Sequence, residues 1–346
     1  MEKDIVVGLD LAKNVFQVQV NDQRGKKLRS KKLKRSEVLE FFAQLPPCLV
    51  GMEACGGAHE WARRIGSFGH RIKMMAPQYV KAYVQRDKSD ARDAGGIAEA
   101  VVRPAVPAVR VRTRAEQELQ SLHRVRELWQ KQRIATTNQL RGLLAEFGEV
   151  MSPGAKKLRE QVRAWQGRAT DGVLRQVVED LLTHWSTLDT QLSAMEARIM
   201  VAHRAHADSR RLDTIPGVGV LTATATVAAF GNASTFASAR RFACGLGLTP
   251  REHSSGGREV KLGISKRGNS YVRRLLIHGA RAVVKARMNN PDKYANDWVV
   301  KLVQRRGHNI AVVALAAKNA RRMWAVLRSG QAFDANYVHP VAGAAD

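Results

Sequence analysis

Residues 5–20 read Ile-Val-Val-Gly-Leu-Asp-Leu-Ala-Lys-Asn-Val-Phe-Gln-Val-Gln-Val. The first five are an apolar run that ends at Asp10, and 15–20 alternate apolar and polar side chains with the period of two that marks a half-buried strand. Turn residues follow at 21–25, and 27–33 can return as a third, basic strand, so the chain opens as an antiparallel meander. Ser36, Glu37 and the spacing of Leu39, Phe42 and Leu45 start a helix that Pro46 and Pro47 stop. Residues 48–52 are a short apolar strand ending at Glu53, 58–68 a second helix and 71–75 a fifth strand, before a helix that carries Asp90 and Asp93. The order βββαβαβα suits a mixed sheet with helices on its faces, an α/β domain over 1–112.

Working outward, 113–210 read as helical. Leu174, Val178, Leu181, Trp185, Leu188, Leu192, Met195 and Ile199 keep strict 4,3 spacing, a coiled-coil seam. An earlier helix at about 114–147 makes the simplest arrangement an antiparallel hairpin broken around Met151–Gly154 in sequence, 151–154, serving either as an intramolecular arm or as a contact between copies. The remainder, 211–346, is expected to be mainly α. The full chain has 346 residues, 57 Lys+Arg against 31 Asp+Glu, and a formal charge of +26, so a polyanionic partner is expected. The charge is uneven: 1–112 carry 21 basic and 12 acidic side chains (+9), 113–210 carry 15 and 12 (+3), and 211–346 carry 21 and 7 (+14). Three cysteines without CxxC spacing argue against a disulfide framework or a zinc ribbon. The opening Met-Glu-Lys-Asp is unlike a basic, apolar signal peptide, and no apolar run reaches about 18 residues, which together point to a cytoplasmic protein with no membrane partner.

Asp10 and Glu53 end two apolar runs, and Asp90 and Asp93 stand i,i+3 on one helix face. Singly, each acid has a structural reading as a cap or a first-turn residue favoured by the helix dipole. Together they come from three elements of one sheet domain, where acids are costly unless a cation sits among them; hard, oxygen-ligated Mg²⁺ fits. Glu60, Asp87 and Glu99 are the competing acids, and each looks like a solvated helix residue. Farther on, Thr214-Ile215-Pro216-Gly217-Val218-Gly219 precedes a small-residue helix. Gly217 and Gly219 can let the backbone donate N–H groups to a phosphate, in a helix-hairpin-helix-like turn; the alternative is a tight interhelical turn with no ligand. A polar loop, 251–258, contains Ser254 and Ser255 between Arg251 and Arg258, followed by Lys266 and Arg267. These cations can contact phosphates, and a serine there becomes a nucleophile only if a base or metal activates it.

Taken in order, GLDLAKNVF (8–16), GMEACGG (51–57), KSDARDA (88–94), TIPGVGVLTA (214–223), FACGLGLTP (242–250) and the loop before SKRGNSYVRRLL (265–276) resemble the DEDD transposases of insertion sequence family 110 along essentially the whole chain. The resemblance implies an RNase H (RuvC)-like N-terminal domain, a helical coiled-coil arm and a C-terminal transposase domain. It implies that Asp10, Glu53, Asp90 and Asp93 form a Mg²⁺ tetrad, and that a serine, best matched by Ser255 with Ser254 adjacent, attacks a DNA phosphodiester to give a covalent phosphoserine. It further implies that the metal site of one domain meets the serine of the other, if need be across subunits of a dimer or tetramer. The partners it implies are element-end and target DNA and a structured non-coding bridge RNA that pairs with both. Cys55 departs from the family, which more often has a hydroxyl residue there; it reads as a small neighbour without a chemical role. Competing functions are a RuvC-like junction resolvase or nuclease without a covalent intermediate, a non-catalytic nucleic-acid-binding protein, and a sugar-kinase-like ATPase, for which a second phosphate segment and an adenosine pocket are missing from the sequence.

Overall fold

The computed structural model describes residues 5–84, 89–168, 171–290, 292–294 and 296–335. Contacts divide the chain into two compact units, Met1–Ala115 and Glu116–Asp346.

In the first unit the meander forms as β1 (Val6–Asp10), β2 (Val15–Asn21) and β3 (Lys27–Lys34). Helix α1 (Val38–Ala43) leads to β4 (Leu49–Glu53), α2 (Ala58–Gly66) and β5 (Arg71–Met75). A short α3 (Pro77–Val80), then α4 (Asp90–Val101) and β6 (Ala108–Val109) complete the unit. The sheet order is β3-β2-β1-β4-β5-β6, antiparallel between β1 and β2 and between β2 and β3, parallel from β1 to β4 and from β4 to β5, and antiparallel again at β6. The βββαβαβα reading lacked α3 and β6. Two residues beside Pro107 are too few to show alternation, and α3 is a single turn begun by a proline.

Alternation along the strands sorts the two faces. Val7, Leu9, Phe16, Val18, Val50 and Met52 turn to one side and bury against Phe41 and Phe42 of α1 and Trp61 and Ile65 of α2. Val6 and Leu49 turn to the other, where Ile97, Ala100 and Val101 of α4 cover them.

The second unit begins with two 33-residue helices, α5 (Arg114–Glu146) and α7 (Val173–Ala205), with α6 (Ala155–Gln166) between them. Ion pairs Arg126–Glu196 and Arg133–Asp189 set α5 and α7 antiparallel. The expected plain hairpin is corrected here by α6, whose Leu158, Val162 and Trp165 pack on Leu140 and Leu144 of α5 and on Val178 and Trp185 of α7. On α7, Val178, Trp185, Leu188, Leu192, Met195 and Ile199 of the 4,3 series are buried.

The rest is mainly helical: α8 (Ala207–Asp213), α9 (Val220–Phe230), α10 (Ala239–Gly245), α11 (Ser270–Met288), α12 (Trp298–Arg306) and α13 (His308–Ser329). One hairpin, β7 (Pro250–Glu252) with β8 (Lys261–Ile264), interrupts it. Leu119 of α5 shares the core of these helices, and beside it lies a buried polar chain. The Tyr271 hydroxyl lies 3.0 Å from His123 Nδ1, His123 Nε2 lies 3.0 Å from Thr224 Oγ1, and the Thr224 hydroxyl donates to the Val220 carbonyl at 2.6 Å. Because Thr224 spends its proton on the backbone, His123 carries its own on Nε2 and accepts from Tyr271.

Burial, reinforced by the Arg126 charge, lowers the His123 pKa from 6.5 to about 4. Between those values the unfolded chain binds a proton that the folded chain refuses, so this group's stabilisation is complete above about pH 6.5, falls as pH drops, and levels off below about 4. From pH 7 to pH 5 native protein is expected to lose about 2 kcal/mol more unfolding free energy than His123→Gln, read from urea denaturation at each pH.

Candidate metal centre and nucleic-acid interface

Gly8 of β1 and Gly51 of β4 lie under α4. A Cβ on Gly8 would overlap the Ala94 carbonyl oxygen and stand 2.6 Å from the Ala98 nitrogen; on Gly51 it would stand 2.7 Å from Val101 Cβ. At Gly8 the helix presents Ala94 and Ala98, so backbone rests nearly on backbone, while at Gly51 the side chains of Val101 and Ile97 fill the space a Cβ would take. That contact sets the first turn of α4 beside the end of β1. Ligand atoms of Asp10, Asp90 and Asp93 all lie within 4.8 Å of one another. Glu53 ends β4 on the same side: β1 and β4 run parallel with Leu9 opposite Met52, so Asp10 and Glu53 are successive neighbours at one sheet end. It is not a member of the close three-acid group.

The donor set fits a hard cation. Three carboxylates from two elements offer oxygens only, and like charges this close repel unless a cation sits among them. Partial withdrawal of its sulfur from water, followed by the charges of Glu53 and Asp10, raises the Cys55 thiol, which leaves it protonated and a poor nucleophile. Of the competing acids, Glu60 pairs with Arg63 at 2.5 Å and Glu99 with Arg103 at 2.8 Å, both as surface helix pairs. Asp87 lies outside the described residues.

In the second unit the serine loop is the tip of the β7–β8 hairpin. Ser255 and Arg258 form an isolated bridge, and Gly256 (φ +56°) and Gly257 (φ +79°) both take the left-handed conformation that a two-residue primed turn requires. The two serines differ. Ser254 donates to the Glu252 carboxylate at 2.9 Å and accepts from the Val260 N–H at 3.3 Å. Ser255, exposed at the tip, has no side-chain hydrogen bond among the described residues. Arg251 and Arg258 are exposed on the same hairpin, and Lys266 and Arg267 are exposed at its base.

That base is rigid. A Cβ on Gly247 (φ +68°) would stand 2.6 Å from the Arg267 nitrogen, and one on Gly268 would overlap the Gly245 carbonyl oxygen. The Arg273 guanidinium donates to the carbonyls of Leu246 and Arg267, each at 2.9 Å. The 242–250 and 265–276 motifs are therefore one structural knot, a relation that their separation in sequence hides.

The glycine turn between α8 and α9 divides its two glycines. Gly217 (φ +87°) is required by packing: a Cβ there would stand 2.9 Å from Val283 Cγ2 and 3.0 Å from the Gly279 carbonyl oxygen. Gly219 is exposed at the start of α9 and a Cβ there would meet nothing within 4 Å. Buried Asn319 holds the turn from behind, donating to the Pro216 carbonyl at 2.8 Å.

Residues 7–148 match the family model described as a DEDD transposase of IS110 type, and 209–295 match that of the IS116/IS110/IS902 transposase family. A probable family 20 transposase of Pseudomonas aeruginosa is 44% identical over 325 residues, 93% of this chain and 96% of its own. The transposase for insertion sequence element IS1111A of Coxiella burnetii is 40% identical over 329 residues, 94% of this chain and 90% of its own. More distant is a pilin gene-inverting protein of Moraxella bovis, 26% identical over 78% of this chain and 76% of its own. These matches define the class of protein: a DNA-recombining enzyme of the transposase type. This chain is a member of the IS110 family of insertion-sequence transposases, with DNA as its substrate. Among the described residues no helix is long and apolar enough to cross a membrane.

If the close contact at Gly8 assembles the acids, Gly8→Ala is expected to cost about 1–3 kcal/mol in urea denaturation and to weaken Mn²⁺ binding, because α4 must lift. Gly56→Ala, where a Cβ meets nothing within 4 Å, is the control and is expected to change neither measurably.

Proposed function

We propose that this transposase cuts and rejoins DNA through Ser255, assisted by Mg²⁺ on Asp10, Glu53, Asp90 and Asp93, with a structured bridge RNA guiding both DNA partners. The observation that carries the reading is the convergence of Asp10, Asp90 and Asp93 within 4.8 Å at the sheet end of a DEDD transposase. The strand order and directions support an RNase H (RuvC)-like first domain over 1–112. The 4,3 series of α7, buried within the chain itself, supports the intramolecular form of a helical coiled-coil arm over 113–210, and a dimer or tetramer would pair through other surfaces. The domain at 211–346 carries the serine hairpin and the glycine turn.

In the proposed step the Ser255 hydroxyl gives up its proton, its Oγ bonds to phosphorus, and one P–O ester bond of the DNA breaks, the departing oxygen taking a proton to become a free hydroxyl. The phosphoserine keeps one ester bond for the one broken, so a DNA hydroxyl can reverse the step on a new strand without an external energy source. When bound, Mg²⁺ would supply positive charge to the phosphate oxygens during displacement. The unengaged Ser255 hydroxyl at an exposed tip favours it over Ser254, whose oxygen is held by Glu252 and Val260. Arg251, Arg258, Lys266 and Arg267 would neutralise phosphates, and the Gly219 end of the turn, with Gly217 shaping it, would offer backbone N–H groups. The charge of +26 suits a partner with as many phosphates as a folded RNA.

The test is covalent trapping on a denaturing gel, with element-end DNA, the flanking non-coding RNA and Mg²⁺. A protein–DNA adduct is expected with native protein and Ser254→Ala, and is expected to vanish in Ser255→Ala and Asp10→Asn. Cleavage with no adduct in any variant would instead identify a metal-dependent nuclease.

A further inference from the structure

Gln17 lies at the acid site without any role assigned to it so far. It sits directly across from Asp10 in the β1–β2 register, and Gln19 two residues on lies against α4, where a Cβ on Gly95 would be 3.1 Å from its Oε1. By alternation Gln17, Gln19 and Asp10 share the α4 side of the sheet, with the Cβ atoms of Gln17 and Asp10 about 5 Å apart as cross-strand partners. Gln17 is only 5% exposed. Its Nε2 donates to Ser30 Oγ on β3 at 2.9 Å, while its Oε1 is buried with no hydrogen-bond partner among the described residues.

A buried amide oxygen without a donor is costly, and an apolar residue of the same shape would avoid the cost. The ionised carboxylates nearby cannot satisfy the amide oxygen, because they are acceptors only. A hydrated divalent cation can, since such ions keep several of their waters and those waters are strong donors.

We propose that Gln17 is a positioning residue of the acid site, its carboxamide oxygen accepting a hydrogen bond from a water on the cation held by Asp10, Asp90 and Asp93. This rests on the metal-site reading and adds to it an outer contact, tethered from the far side by Ser30. Contacts of this kind orient a metal's bound waters, and their loss commonly weakens binding tenfold or more.

Mn²⁺ binding to the full chain, followed by electron paramagnetic resonance without nucleic acid, reads the proposal apart from activity. Gln17→Met is expected to weaken Mn²⁺ binding about tenfold while leaving the thermal midpoint equal or higher, because an unsatisfied polar group has been replaced by an apolar one. A glutamine with a merely structural role would show no loss of affinity. Gln17→Glu keeps an acceptor oxygen and is expected to bind Mn²⁺ at least as tightly as native protein. Native affinity in Gln17→Met overturns the assignment, and so does a Gln17→Glu variant as weak as Gln17→Met, which would show that the amide nitrogen is the group that matters. Should Gln17→Met not fold, Ser30→Ala, at an exposed strand position, is expected to weaken binding severalfold, and unchanged binding there overturns the assignment equally. Asp10→Asn separates the two levels: native affinity in that variant defeats the metal-site reading itself, whereas its loss beside a normal Gln17→Met defeats only the role of Gln17.

Discussion

The acid site depends on one contact, the seating of α4 on β1 and β4 at Gly8 and Gly51. A carboxylate at a strand end and two on a helix face converge only if helix and strand approach more closely than ordinary side chains allow. Gly8 admits Ala94 and Ala98 of the helix, and Gly51 leaves the room that Ile97 and Val101 fill. The cost is borne elsewhere on the sheet, where the opposite face buries Leu9, Phe16, Met52, Trp61 and Ile65 and supplies the apolar burial that holds the layers together.

The second unit repeats the device twice. Gly217 meets Gly279 to seat the α8–α9 turn on α11, and Gly245 meets Gly268 to bind the two ends of the serine hairpin into one base. In each case a backbone approach fixes a polar or charged feature whose own interactions are too weak to hold it. Surface arginines and an exposed serine gain little from ordering in water, so a rigid base matters more for them than for a core residue. The buried His123 chain does similar work for the root of α5, joining it to α9 and α11 by hydrogen bonds that are all satisfied.

Much of this was legible in the sequence. Asp10 and Glu53 stood out because each ends an apolar run, and Asp90 and Asp93 because their spacing places them on one helix face. What the pattern could not convey is distance: Asp10, Asp90 and Asp93 draw together while Glu53 stays outside that group, a result of where α4 crosses the sheet. Gly217 read either as a phosphate contact or as a tight interhelical turn, and the letters could not convey that the packing of Val283 and Gly279, more than sixty residues away, leaves no room for a Cβ there. Motif position favoured Ser255 over the adjacent Ser254, but only the primed turn at Gly256 and Gly257 and the Ser254–Glu252 hydrogen bond separate an engaged hydroxyl from one at the tip. Helix α6 carried its signal in Leu158, Val162 and Trp165, but lay in a stretch where the turn residues at 151–154 dominated the reading. Gln17 was hidden by its own alternation, since a polar residue at that position reads as solvent-facing until α4 is placed over it.

Whether α4 and β1 assemble a divalent-cation site is read most directly by anomalous diffraction from crystals of the native protein grown with Mn²⁺. A Mn²⁺ peak is expected within coordination distance of Asp10, Asp90 and Asp93, at roughly 2.0–2.6 Å from their oxygens. Crystals that hold Mn²⁺ elsewhere on the chain while these three carboxylates stand apart or pair with arginines would contradict it.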